Sequence, residues 1–283
     1  MKKIKKNIYI EGAYPGVTLG ALYFKDGALL IDSPPRPEDA RDWLATLRDL
    51  GISSNRLLVN LDSHPDRTIG TRAMNTTVIA HDDTVDIFGA RSAMFKAQNA
   101  DSGAEWESCS GLSGIRWHPP DMAFSDRAIL QWGDYEVALE HHPGPSPGAT
   151  WVVIPDHNIV FVGDAVTVKQ PPLLEDADIP AWITSLDLLL SKDYSNYNII
   201  SGRGGPSPVH ALHDLRKFLV DVQKRLERLA KRNADPDATE KLIPNLLDKF
   251  KFPAKLRDIY TNRMRYGLFH YYVKHYHPKK STK

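Results

Sequence analysis

Val59-Asn60-Leu61-Asp62-Ser63-His64-Pro65-Asp66-Arg67-Thr68-Ile69-Gly70 decides how the rest of the chain reads. An apolar run ends at Leu61, and the six residues Asp62 to Arg67 then bring two carboxylates, an imidazole and a guanidinium into one turn. A strand that empties into such a turn sets its polar side chains at the edge of a sheet, where they can hold a cation or pair with one another.

Three later segments have the same form, an apolar run or turn closing on Gly, Asp or Arg: His142-Pro143-Gly144-Pro145-Ser146-Pro147-Gly148, Val160-Phe161-Val162-Gly163-Asp164-Ala165 and Ile199-Ile200-Ser201-Gly202-Arg203-Gly204. In this order the four segments resemble the metallo-β-lactamase superfamily. Its first loop reads Thr-His-x-His-x-Asp-His-x-Gly-Gly, followed by a Pro-Gly-His turn, a Gly-Asp strand end and a Gly-His-Gly strand end. The resemblance implies ligands for two adjacent metal ions. His64, Asp66 and Asp164 keep the family residue, whereas Asp62, Arg67, Pro145 and Arg203 stand where the family has histidine. It also implies an α+β fold, a four-layer αβ/βα sandwich with a C-terminal helical extension.

The substitutions have a direct chemical meaning. The family's second metal site would be built from Asp66, Asp164 and the positions of Arg67 and Arg203. A guanidinium is always protonated, offers no lone pair and forks onto carboxylates, so it repels a cation and pairs with the groups that would have held one. Arg67 and Arg203 are therefore expected to replace the second metal electrostatically, leaving that site without an ion. At the first site Asp62, His64 and Asp164 still offer one nitrogen and two carboxylates, a set that can hold Zn, Mn or Fe(II). The competing expectation is no metal at all, because Pro145 has no donor atom and the arginines satisfy the carboxylates. His141 or His142 could supply a substitute ligand, although a histidine beside this turn also serves as a wall residue or a local hydrogen-bond partner.

At 283 residues with 42% hydrophobic content the chain can bury a large core in one domain with an appendage. The expected division is residues 1–208 for the sandwich and 209–283 for the helical extension. The single cysteine, Cys109, excludes an intramolecular disulfide and fits a reducing compartment, so the chain reads as cytoplasmic. Met1-Lys2-Lys3-Ile4-Lys5-Lys6 has the charge of a signal-peptide start, but the apolar run after it breaks at Glu11-Gly12, and no stretch is long enough to cross a bilayer. Residues 209–283 carry 18 Lys+Arg against 8 Asp+Glu, leaving 18 against 27 for residues 1–208. Because the basic residues are dispersed at helical spacing, solvated helix faces or docking on the body or a second subunit account for them better than a nucleic-acid surface does.

The order of elements agrees with a sandwich of two similar halves. Strands are expected over Asn7–Ile10, Val17–Phe24 and Ala28–Asp32, with Lys25-Asp26-Gly27 as a hairpin turn. Pro37–Leu50 shows an amphipathic helical stripe stopped by Gly51, Leu57–Leu61 leads into the polar loop, and Thr77–Ala80 is a further strand. Residues 82 to 120 read as helical and irregular, with Met94, Phe95 and Trp106 as core or pocket wall. A second strand block follows over Ala128–Trp132, Tyr135–His141, Trp151–Pro155 and Ile159–Val162, with Gly133-Asp134 and Asp156-His157-Asn158 as turns. A helix over Ile179–Leu190 and a strand over Tyr197–Ser201 close it. Two helical stripes, Leu212 to Leu229 and Leu256 to Tyr272, are separated by Asn233-Ala234-Asp235-Pro236. His270, His275 and His277 in the second read as packing and surface.

Two function classes follow. In the first, a hydrolase-like protein acts on an ester, thioester, lactone, amide or phosphodiester with at most one metal on Asp62, His64 and Asp164; Asp66 orients or deprotonates water, and Arg67 or Arg203 stabilises an oxyanion. In the second, a metal-free protein binds an anionic or acyl small molecule through Arg67, Arg203 and His142 without turnover. A nucleic-acid-processing role is disfavoured, since the chain lacks room for the large domain that such family members insert between the Gly-Asp and Gly-His-Gly segments. Membrane association is not expected, and the C-terminal helices could cover the site or form a homodimer contact.

Overall fold

The computed structural model describes residues 1–276 apart from residues 26, 53–54, 98–100 and 133–134. The first sheet has seven strands in sequential order: β1 (Lys2–Lys5), β2 (Ile8–Glu11), β3 (Leu19–Phe24), β4 (Gly27–Ile31), β5 (Arg56–Val59), β6 (Thr77–His81) and β7 (Met122–Phe124). The first four pair antiparallel, and β4 to β7 pair parallel. The crossovers are made by α1 (Pro37–Asp49), by the short helices α2 (Pro65–Thr68) and α3 (Thr71–Met74), and by α4 (Asp82–Ala90). The second sheet runs from β8 (Arg127–Trp132) through β9 (Tyr135–His141), β10 (Thr150–Ile154), β11 (Ile159–Phe161) and β12 (Asn198–Ser201) to β13 (Gly205–Pro206). Helix α5 (Ile179–Leu189) precedes β12, and α6 (Val209–Ala230), α7 (Ile243–Leu247) and α8 (Arg257–Tyr276) follow β13.

Period-2 alternation assigns each strand two faces. In β4, Leu29 and Ile31 join the core between the sheets, while Ala28 and Leu30 face the outer core with Trp43 and Leu47 of α1. The inter-sheet core unites Ile8, Leu22, Val59 and Phe124 with Val137, Val152, Phe161 and Ile200 of the second sheet. On the far side Trp151, Val153 and Val160 pack against α5, α6, α7 and α8 in one continuous cluster. The result is the four-layer αβ/βα sandwich implied by the resemblance, with α6 and α8 sharing their core with the second sheet.

Expected and observed elements differ in a few places. Lys2–Lys5, read as a charged opening, is a strand paired with β2, and Met122–Phe124 is a short edge strand that no pattern signalled. The loop begins earlier than expected, because β5 stops at Val59 and Asn60 onwards is irregular. Phe95 and Trp106 are buried as expected, but Met94 is 52% exposed and belongs to no core. β3 and β4 form the expected hairpin with Phe24 opposite Gly27, although Asp26 of its turn lies outside the described residues, as do the Gly133-Asp134 turn and His277. Among the described residues no helix is long and apolar enough to cross a membrane.

Candidate functional site: a buried arginine and carboxylate network

The four segments read from the sequence meet at one end of the sandwich. Asp62, His64, Asp66 and Arg67 arrive from the loop after β5 and from α2, Asp164 from a tight turn after β11, and Arg203 from the turn between β12 and β13. Pro65 starts α2, and the His64 ring caps it by accepting the Asp66 amide at 3.2 Å, which aims Asp66 and Arg67 inward. Gly16 lies over Asp66 with φ at +71°, and a Cβ there would stand 2.6 Å from the carboxyl carbon. Only glycine fits both that conformation and that approach.

Arg67 and Arg203 occupy the centre with side chains 0% and 1% exposed. Arg67 Nη1 donates to Asp32 at 3.0 Å, its Nη2 donates to Asp164, and its Nε stands 3.0 Å from Asp62 Oδ1 without hydrogen-bond alignment. Arg203 Nε meets both oxygens of Asp164 at 3.1 and 3.0 Å, Nη1 donates to Asp66 at 2.6 Å and to Glu105 at 2.5 Å, and Nη2 donates to His64 Nδ1 at 3.2 Å. Arg263 of α8 completes the network, donating to Glu105 at 2.7 Å, to Gln170 at 2.8 Å and to the Gly103 carbonyl at 2.9 and 2.8 Å.

Three guanidiniums thus face five carboxylates: Asp32, Asp62, Asp66, Glu105 and Asp164. Protonation narrows the excess of negative charge. Burial pushes the carboxyls of Asp32 and Asp66 up to about 7 and raises that of Asp62 as well. Burial also opposes ionisation of Glu105 and Asp164, but the arginines outweigh it: Arg263 and Arg203 hold Glu105 at about 2, and Arg203 and Arg67 hold Asp164 well below the usual carboxylate range. Burial, reinforced by Arg203, keeps His64 neutral.

The donor set does not fit a metal at the inherited positions. Asp164, the bridging ligand of the family, has both oxygens engaged by guanidinium nitrogens. His64 Nδ1 accepts from Asp66 and Arg203, so its neutral ring carries a proton on Nε2 and offers no free lone pair. Asp62 Oδ1 accepts the His64 amide at 2.8 Å and lies beside Arg67. A cation placed among these groups would confront the fixed positive charges of Arg67 and Arg203, which already contact the same carboxylates.

The structure separates the other expected site residues from one another. Asp66 is fully buried between the Trp106 amide and Arg203 and lines neither of the two cavities beside the network. His142 lies outside the network, stacked on Trp151 with centroids 3.8 Å apart and 3.3 Å from Glu140. His141 turns to His81 rather than to Asp62 and His64. Three network members were not singled out from the sequence. Asp32, the polar residue closing the apolar strand β4, carried a local signal; Glu105 and Arg263, 158 residues apart, carried none.

Two cavities flank the network. One of about 490 Å³ is bounded by Glu105, Arg203, Gln170 and Tyr14. The other, of about 220 Å³, is lined by Asp62, His64, Arg91, Ser146, Glu175 and Tyr266, among others. Arg91 packs on Phe88 and Trp117 at 4.9 and 4.7 Å and donates from Nη2 to the Ser63 carbonyl at 2.7 Å, while its Nη1, the Ser146 hydroxyl and Glu175 Oε2 have no hydrogen-bond partner among the described residues.

Fold and site together define a divergent member of a metallo-hydrolase superfamily, with the family's scaffold kept and the carboxylates at its metal positions paired to arginine. The chain belongs to the metallo-β-lactamase superfamily, whose family model matches residues 71–227, from just past the altered loop into α6. No curated protein matches it. Among solved structures it is similar to a metallo-β-lactamase from Pontibacter korlensis, with 18% identity, TM-score 0.59, and coverage of 77% of this chain and 97% of that one. DIM-1 metallo-β-lactamase gives 20% identity, TM-score 0.59 and coverage of 78% and 96%. The sec-alkylsulfatase Pisa1 from Pseudomonas sp. gives 15% identity and TM-score 0.68, with 96% of this chain aligned to 49% of that one. This chain thus spans about half the length of the alkylsulfatase. At these identities the likeness is one of fold, and with the alkylsulfatase it extends over nearly all of the chain, the C-terminal helices included.

Proposed function

We propose that this protein is a metal-independent, hydrolase-like member of its superfamily that binds a small acyl or carboxylate compound in the cleft beside His64 and Arg91. The observation that carries this reading is the engagement of Asp164 and His64 Nδ1 by guanidinium groups, which removes the donors a metal needs. The inherited groups left to meet a ligand are Asp62 and the His64 Nε2 proton. Asp62 Oδ2 has no protein partner among the described residues, and burial makes this carboxylate more basic than usual, so it can take a proton from water. The Nε2–H of His64 and the Arg91 guanidinium can donate to the oxygen on which charge develops. Without metal-bound hydroxide this machinery suits activated acyl bonds, such as thioesters, lactones and reactive esters, better than amides or phosphodiesters.

A second reading is a binding protein without turnover, whose ligand would have to be held by groups other than Arg67 and Arg203, since both are engaged by carboxylates. Both predict ligand binding that survives a chelator. The two are separated by assaying an activated aryl ester and a lactone with wild type, Asp62→Asn and Arg91→Ala, with and without EDTA. The hydrolase reading expects EDTA-resistant turnover that Asp62→Asn lowers at least tenfold. Folded wild-type protein that is stabilised by a carboxylate ligand but gives no turnover supports the binding protein; turnover abolished by EDTA overturns both. An acyl or anionic ligand, a homodimer and a cytoplasmic setting suggested by the lone, half-buried Cys109 belong to this reading too.

A further inference from the structure

Away from the arginine network, the ends of β6 and β9 bring two histidines and an aspartate together. His81 closes β6 and caps α4, Asp83 stands in the first turn of α4, and His141 closes β9 on the opposite sheet. The imidazoles of His81 and His141 stack with centroids 3.6 Å apart and planes 20° apart. Each of the three residues offers one donor atom, and those atoms lie within 4.8 Å of one another; among the described residues this is the only such group able to hold a metal ion.

The surroundings fix which nitrogens are available. His141 Nε2 donates to the Pro147 carbonyl at 2.7 Å, leaving the Nδ1 lone pair free of that bond. His81 Nδ1 accepts the Asp83 amide at 3.1 Å and stands 3.6 Å from Asp83 Oδ2, and a backbone hydrogen bond with Ser125 favours a proton elsewhere on the ring. Imidazole ligands usually have their other ring nitrogen held in this way by a carbonyl, which fixes the tautomer and strengthens the donor. Two nitrogens bound to one tetrahedral ion at 2.0–2.1 Å stand about 3.3 Å apart, so donor atoms that now lie within 4.8 Å of one another close up on binding, and the stacked rings turn until their in-plane lone pairs converge.

We propose that His81, Asp83 and His141 form a binding site for one zinc-class divalent cation, distinct from the positions inherited by the superfamily. The set is two imidazoles and one carboxylate, which leaves one tetrahedral position for water or an added ligand. Binding takes the His81 lone pair from the Asp83 amide, replacing one helix-cap hydrogen bond with a metal bond, and it spans both sheets. His81 is 5% exposed, whereas the Asp83 side chain is 47% exposed, so the ion has an entry path past the carboxylate.

The test is metal uptake by the full chain after exhaustive chelation, using Co(II) titration followed by d–d absorption, with Zn(II) stoichiometry by mass spectrometry. Wild type is expected to take one equivalent with a tetrahedral Co(II) spectrum. Asp83→Asn and His141→Gln should bind more than about 100-fold more weakly, beyond the loss expected for a group that only orients a ligand. His64→Ala should bind as wild type does. His141→Gln keeps a donor toward Pro147, so a folded variant is obtainable, with circular dichroism as the check. Uptake lost in His64→Ala and kept in the other two overturns the site, as does absence of stoichiometric uptake by wild type.

Discussion

Arg203 grips Asp164 from a single nitrogen: Nε lies 3.1 and 3.0 Å from the two carboxylate oxygens, and neither side chain is more than 7% exposed. The resemblance implies an aspartate bridging two metal ions at this place, and here the two positive groups on Asp164 are the guanidiniums of Arg203 and Arg67.

Arg203→Gln should therefore be strongly destabilising, because it leaves Asp66, Glu105 and Asp164 without their shared counter-charge. Removing one partner from a buried ion pair costs about 3–5 kcal/mol. Urea unfolding monitored by tryptophan fluorescence should show that loss, and a cost below about 1 kcal/mol would mean that solvent already screens the pair.

The double variant Arg67→His/Arg203→His restores histidine at two of the four altered positions, next to the retained Asp66 and Asp164. Folded double variant is expected to bind zinc tightly at this cleft, even with His81 and His141 also replaced. Failure to bind would show that Asp62 and Pro145 have reshaped the cleft beyond rescue.

Stability should depend on pH through Asp32, whose carboxyl is raised from 3.8 to about 7. Between those values the folded state keeps a proton that the unfolded chain has released. The Asp32 contribution is therefore full below 3.8, declines as pH rises and is gone above about 7. Neutral His64 acts in the opposite sense below its ordinary value of 6.5, so the difference between wild type and Asp32→Asn is the clean quantity. That difference should fall steadily across the window; a flat difference would show that Asp32 is ionised throughout.

Gly103→Ala should loosen α8. Gly103 has φ at +69°, and an added Cβ would collide with the Ile259 carbonyl and the Arg263 amide. The Arg263 hydrogen bonds to the Gly103 carbonyl would be strained, with an expected cost of about 1–3 kcal/mol. Limited proteolysis should detect earlier cleavage within residues 231–256.

Local sequence made much of this legible. Apolar runs and stripes located most strands and helices to within a few residues, and the four loop segments identified the scaffold. Arg67 and Arg203 were readable as metal replacements because a guanidinium has no lone pair wherever it stands. Their availability to a ligand was not readable. That depends on Asp32, Glu105 and Arg263, which reach the cleft from β4, from the segment before β7 and from α8 and use up the donors expected to face a substrate. The pairing of His81 with His141 was equally hidden, since one belongs to each sheet.

The chain's own order of residues determined the layers and the chemical type of each group at the cleft, because periodicity and donor capacity are properties of residues in their local context. Tertiary structure alone decided which carboxylate meets which arginine, which protons are retained near neutral pH, and which histidines lie together. Those outcomes depend on distance and desolvation between segments far apart along the backbone, and no local pattern encodes them.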